Sequence, residues 1–253
     1  MAALTDHVVQ LYAESEEHAL VGNVARYLAD GLRSGEAVAV IATAEHSAAF
    51  TRQLAAAGID VRAARDSGRL VTLDAAETLA RFTVDGAVDR ERFEATVATR
   101  IRALRARFPG GALRAYGEMV GLLWQAGEYA AAIKLEALWN ELLLDEPIRL
   151  YCAYPIDVLG KEFCADDVDA LLGAHTHLVP AADELANAVD EAIGDVLGPA
   201  AAALLKAAMN AGETPSGAAL PRGEATILWL RRHLSRYATE IVARARARTR
   251  AAA

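Results

Sequence analysis

AVAVIAT, residues 37–43, is the stretch on which the fold turns. It is apolar at every position but the last, too short for a globular helix, and bounded by Gly35 and Glu36 before it and by Glu45 and His46 after it. An uninterrupted apolar run of strand length reads as a strand covered on both faces, the mark of a parallel sheet. Working outward, HVVQLY (7–12), RLVTLD (69–74), LRAYGE (113–118) and IRLYCAY (148–154) read as further strands, the last closed by Pro155. Amphipathic stretches lie between them. Ser15 is placed to cap a helix carrying Val21, Val24, Leu28 and Leu32 and stopped by Gly35. A second helix spans 45–57 and ends at Gly58, and 59–63 suggests a short strand. Asp89 opens an arginine-rich helix to Phe108, broken by Pro109, Gly110 and Gly111, and helices over 119–126 and 129–144 are separated by Gly127. This alternation predicts an α/β fold: a parallel-type sheet with helices on both faces, in three layers.

Beyond Pro155 the strand signals fade. Asp166 is placed to cap a helix to Leu172, and 183–196, 199–210 and 222–250 read as helical. The expected organisation is an α/β domain over 5–180 followed by a helical region over 183–250, with a flexible link at 212–223, where two prolines and three glycines fall. In the last helix Ile227, Leu230, Leu234, Tyr237 and Ile241 recur at intervals of three and four, a seam that must pack on something. A homodimer formed partly through 183–248 is the expectation.

Composition bounds the function. The 253 residues are 54% hydrophobic and 24% charged, which excludes a wholly disordered chain. Two cysteines, Cys152 and Cys164, exclude a disulfide scaffold and make a reducing cytoplasm the default. Residues 1–17 reach Asp6 before any basic residue and contain no apolar core of a secretory signal, and no run approaches the length that crosses a bilayer. The net charge is −8, but residues 222–253 hold eight arginines against two glutamates, a local +6 that leaves −14 on the rest. DNA binding is not expected, because no helix-turn-helix precedes that basic tail.

Ligands of open parallel sheets sit outside the carboxyl ends of the strands. The residues there are Tyr12, Thr43 with Glu45 and His46, Asp74, Glu118, and Cys152 with Tyr154. Any one of them has an ordinary explanation as a polar group meeting water. The first strand-to-helix turn, AESEEHALVGN, has neither the glycines nor the lysine of a phosphate loop, and Glu14, Glu16 and Glu17 would repel a triphosphate, so no ATP is expected. Glu136 and Asn140 share a helix face with Trp139 beside them, either a pocket wall or a core tryptophan with polar neighbours. His175 and His177 are weak metal candidates that would point the same way in an extended segment. No His neighbours Cys152 in sequence to form a local dyad, and no nucleophile elbow occurs.

Seven segments in order, HVVQLY, GLRSGEAVAVIAT, LVTLDAAETLARFTVDG, RAYGEMVGLLWQAG, AAIKLEALWNEL, LYCAYP and AHTHLVP, resemble the MEDS domain, a sensory domain of methanogens, methylotrophs and the dichloromethane regulator. The resemblance runs from about His7 to Pro180. It implies a RecA-like or KaiC-like core without its nucleotide loop, with Glu118 where nucleotide-hydrolysing relatives keep a strand-end acid. It offers His7, Tyr12, Glu118, Trp124, Glu136, Trp139, Asn140, Cys152 and Tyr154 as pocket formers. The function it implies is a cytoplasmic, non-enzymatic sensor of a small hydrocarbon derivative that signals to a transcriptional or signalling partner. Two rival expectations are an enzyme using Glu118, Cys152 or Glu136, and a protein-interaction module with a collapsed pocket.

Overall fold

Apolar runs at 7–11, 37–42, 113–117 and 148–154 extend into strands whose side chains are mostly buried on both faces, whereas 70–74 forms an edge strand in which Leu70 is buried and Thr72 exposed. The computed structural model describes residues 6–108, 112–182, 184–211 and 219–252, and the chain divides into two compact units, Met1–Pro155 and Ile156–Ala253. That division falls earlier than the end of the 5–180 span read from the sequence.

In the first unit, β1 (His7–Leu11) leads through a turn of 3-10 helix (Glu14–Glu16) into α1 (Glu17–Arg33), then β2 (Ala37–Ala42), α2 (Ala44–Ala56), α3 (Val61–Asp66) and β3 (Leu70–Asp74). There follow α4 (Ala75–Phe82), a hairpin of β4 (Thr83–Val84) and β5 (Ala87–Val88), α5 (Arg90–Phe93), a π-helical turn (Glu94–Ala98) and α6 (Thr99–Ala106). β6 (Leu113–Gly117), α7 (Met119–Gln125), α8 (Tyr129–Asp145) and β7 (Ile148–Tyr154) complete it. The strands of this unit pair in parallel in the order β3-β2-β6-β7-β1. The chain is α/β, as expected.

The direction of the crossovers explains the layers. From β1 to β2 to β3 the chain steps one way across the sheet, and from β3 to β6 to β7 it steps back. Because such crossovers are right-handed, the reversal puts α1 to α3 on one face and α4 to α8 on the other. α1 accordingly packs on α2, and α7 packs on both α4 and α8.

Several local readings need correction. Residues 59–63 form no strand: Asp60 accepts the Ala63 N–H at 2.9 Å and starts α3 instead. Ser15 caps nothing, since it lies inside the 3-10 turn and α1 begins at Glu17. Asp89 does cap the arginine-rich helix, accepting from Arg92 N–H, but a π-helical turn interrupts it. The β4–β5 hairpin was not read from the sequence, although Asp85 and Gly86, both at positive φ, are the Asp-Gly pair that a two-residue turn demands. Pro109, Gly110 and Gly111 lie outside the described residues.

The second unit contains α9 (Ala165–Gly173), β8 (His177–Val179), α10 (Leu185–Leu197), α11 (Pro199–Ala211), α12 (Arg222–His233) and α13 (Ser235–Ala252). α9 begins at Ala165, with Cys164 rather than Asp166 at its N-cap position, and the Asp166 side chain lies outside those described. Of the expected link, 212–218 lie outside the described residues, whereas Gly223 is wedged against Leu185 and Ala186. The helix expected over 222–250 is broken at Leu234 (φ −133°, ψ 43°). The apolar seam is therefore split, and Ile227, Leu230 and Ile241 are buried where α10, α12 and α13 pack together with Leu185, Val189 and Ile193. Three arginines of the tail are paired within the same unit: Arg248 with Glu191 and Asp195, Arg246 with Asp157, Arg244 with Glu240. No helix among the described residues is long and apolar enough to cross a membrane.

Candidate functional site

Connections leave the neighbouring strands β2 and β6 in opposite directions, which opens a crevice at their carboxyl ends. A cleft of about 310 Å³ occupies it, lined by Tyr12, Glu14, Glu17, Thr43, Glu45, His46 and Glu118, with Gly121, Leu122, Gln125 and Ala153. Five strand-end candidates, Tyr12, Thr43, Glu45, His46 and Glu118, thus meet in one place.

The local folding of each strand end positions its side chain. Thr43 ends β2 in extended backbone and caps α2, its hydroxyl accepting the His46 N–H at 3.3 Å, which sets His46 in the first turn over the cleft. Glu118 follows β6 and carries three bonds. Its Oε1 accepts the Thr43 N–H, and its Oε2 lies 2.5 Å from His46 Nδ1 and 2.9 Å from the donating Tyr116 hydroxyl. His46 Nε2 turns outward to Glu17 Oε1 at 2.6 Å, and the ring stacks on Phe50.

Burial alone would hold the His46 imidazole down, but hydrogen bonding and charge from Glu118 and then Glu17 lift it above its ordinary value. Burial would raise Glu118, but His46 and the Thr43 N–H outweigh it and hold the carboxyl below the usual range. The two shifts agree on an imidazolium–carboxylate pair. Burial, with Glu118, Glu17 and Glu14 nearby, pushes the Tyr12 phenol up, so it stays a hydrogen-bond donor. Among the described lining residues there are four glutamates and no lysine or arginine. Such a cleft repels phosphates and carboxylates and favours ligands that donate hydrogen bonds.

A second group of candidates meets under α8. His7, Glu136, Cys152 and Tyr154 are all buried, and Asn140 joins them. The Tyr154 hydroxyl donates to Glu136 Oε1 at 2.6 Å, and His7 Nδ1 lies 2.8 Å from Asn140 Oδ1. Cys152, with no His beside it in sequence, has His7 Nε2 3.4 Å from its Sγ because β1 and β7 are adjacent. Burial, reinforced by Glu136, pushes the Cys152 thiol up and makes it a poor nucleophile. Trp124 meets Tyr154 edge-on at 5.5 Å and Trp139 meets Phe93 at 5.4 Å, so both indoles wall the core beside this group rather than line the cleft.

Asp74 joins neither group and serves as the cap of α4, accepting the Glu77 N–H at 2.8 Å. His175 lies in a bend before β8, with Nδ1 2.7 Å from Leu171 O, and His177 lies in the strand, so the two do not share one extended segment. Sequence reasoning missed Glu17 as the outer partner of His46, and also Tyr116, Gly121 and Leu122. Glu17 was legible in principle, since the first turn after β1 opens on the same edge of the sheet.

A family model described as MEDS: MEthanogen/methylotroph, DcmR Sensory domain matches residues 6–176. No curated protein and no solved structure matches.

Proposed function

The chain belongs to the MEDS family of sensory domains, as the ordered segments of its sequence suggested, and from that premise we propose that it senses a small organic molecule held in the strand-end cleft. The observation that carries this reading is the cleft itself, sited where open parallel sheets bind ligands and walled by hydrogen-bonding groups over a small apolar floor. Its excess of carboxylates, four glutamates against His46, selects the class: a short-chain alcohol or amine, whose hydroxyl or ammonium donates to Glu17 or Glu45 while its carbons lie on Leu122, Gly121 and Ala153. A ligand hydroxyl that also accepts from His46 Nε2 displaces Glu17. Because Glu17 is the first residue of α1, occupancy biases how that helix begins, and the ligand's differential affinity for the two arrangements sets the response.

The reading is non-catalytic. Glu118 is saturated by three donors and held ionised, which suits positioning of His46 better than proton abstraction, and Cys152 is a buried thiol. The proposed setting is the cytoplasm, with a homodimer and a protein signalling partner reached through the second unit. The ion pairs of Arg244, Arg246 and Arg248 speak against DNA as that partner. α11 is the surface we assign to self-association: Leu204 is 74% exposed, and of the described α11 side chains only Ala202 and Leu205 are buried.

Thermal shift and calorimetry against C1 to C6 alcohols, amines, haloalkanes and carboxylates test the reading. Alcohols or amines are expected to stabilise the protein, by about 2.7 kcal/mol at a hundredfold excess over Kd, and carboxylates are not. A folded protein that binds none of them, or prefers the carboxylates, overturns it.

A further inference from the structure

The buried, hydrogen-bonded group under α8 brings a ring nitrogen, a carboxylate oxygen and a sulfur together at one point. His7 Nε2 lies 3.3 Å from Glu136 Oε2 and 3.4 Å from Cys152 Sγ, and that oxygen and sulfur are 3.8 Å apart. Bonds from zinc of about 2.0–2.1 Å to nitrogen, 2.0–2.2 Å to oxygen and 2.3 Å to sulfur give tetrahedral edges of roughly 3.3–3.6 Å. The three separations are thus close to the edges of one coordination tetrahedron. The three side chains are 2%, 0% and 0% exposed.

The histidine is also oriented for such a role. Asn140 Oδ1 accepts from His7 Nδ1, which places the proton on that nitrogen and leaves Nε2 aimed at the acid and the thiol. A ring nitrogen lone pair facing a carboxylate oxygen in a buried site is satisfied by a proton, carried by the ring or by the carboxyl, or by a cation between them. The Tyr154 hydroxyl holds the other carboxylate oxygen, so Glu136 presents Oε2 to the same point. We propose that His7, Glu136 and Cys152 bind one divalent ion of the zinc class, a site separate from the strand-end cleft and independent of the ligand proposed there. The nitrogen, thiolate and carboxylate set suits zinc or cobalt rather than calcium or magnesium, which take oxygen ligands. Binding replaces the thiol proton: the S–H bond breaks, the sulfur–metal bond forms and one proton leaves to solvent.

Co(II) is the probe, loaded into the full chain both by titration of chelator-stripped protein and by refolding, with thiols kept reduced. The expected result is one Co(II) per chain with a thiolate-to-cobalt charge-transfer band and the intense visible bands of a tetrahedral ion. Cys152→Ser abolishes the charge-transfer band, Cys164→Ser leaves it unchanged, and Asn140→Ala keeps it while weakening affinity about 10–100-fold. Circular dichroism establishes that each variant is folded. If Cys152→Ser does not fold, the Cys164→Ser and Asn140→Ala arms decide alone. Folded protein without the band, a band that survives Cys152→Ser or vanishes with Cys164→Ser, or an Asn140→Ala variant with unchanged affinity overturns the proposal and leaves the cleft reading untouched.

Discussion

Glu118 Oε2 stands 2.5 Å from His46 Nδ1, and the two belong to strand ends 72 residues apart that become neighbours only because β2 and β6 are adjacent in the sheet. The pair lines the cleft at the point where the connections diverge, so its integrity is both a stability matter and a binding matter. Glu118→Gln is expected to destabilise the first unit by about 3 kcal/mol, the scale seen when one partner of a buried charge pair is removed, and to release His46. Chemical denaturation together with the imidazole resonances by NMR reads both effects.

The same pair sets a pH window. His46 is raised in the folded state, so its contribution is full below its ordinary value near 6.5 and is lost as pH rises through the elevated one. Glu118 is lowered, so its contribution is full above its ordinary value near 4.5 and is lost as pH falls through the depressed one. Thermal stability measured against pH should therefore peak between the two, and His46→Gln should flatten the alkaline limb. An alkaline limb unchanged in that variant would mean that other groups set it.

Two glycines in helices should respond to alanine with opposite signs. Gly22 in α1 has nothing within 4 Å of an added Cβ, so Gly22→Ala is expected to stabilise by about 0.5–1 kcal/mol through helix propensity. Gly121 in α7 lines the cleft with its Cα face against Ala153 O, which an added Cβ would approach to 2.6 Å. Gly121→Ala should destabilise by about 1–3 kcal/mol and weaken ligand binding, despite the better helix former. Denaturant midpoints of the two variants check the pair directly.

Leu204→Glu on α11 is expected to leave the helical content and melting temperature unchanged while shifting the chain toward monomer. Sedimentation at tens of micromolar reads this. A wild-type chain that is already monomeric there removes the homodimer from the functional reading.

The strands were legible because each is an apolar run too short to be a helix, and the strand-end rule then found Tyr12, Thr43, His46 and Glu118. What failed was local: Ile59 and Val61 look like strand residues, but the Asp60 carboxylate finds the Ala63 N–H and a helix starts instead. The break at Leu234 has no glycine or proline to announce it, and the continuous spacing of Leu230, Leu234 and Tyr237 concealed it. The buried group under α8 was visible only as residue types. His7 and Cys152 lie 145 residues apart, and nothing in the sequence says that the first strand of the unit pairs with its last.

That pairing has a consequence for biosynthesis. Within the first unit β1 is hydrogen-bonded to β7 and to no other described strand of that unit, so the unit's first strand waits during synthesis for its last. Until residue 154 has emerged, HVVQL is an apolar segment without its neighbour in the sheet, a natural client for a chaperone that shields nascent chains. Contacts this distant along the chain form slowly, and the histidine and cysteine they unite are assembled only at the closing step. The spectroscopic signature of the His7–Cys152 pair would thus report that synthesis and folding of the whole unit are complete.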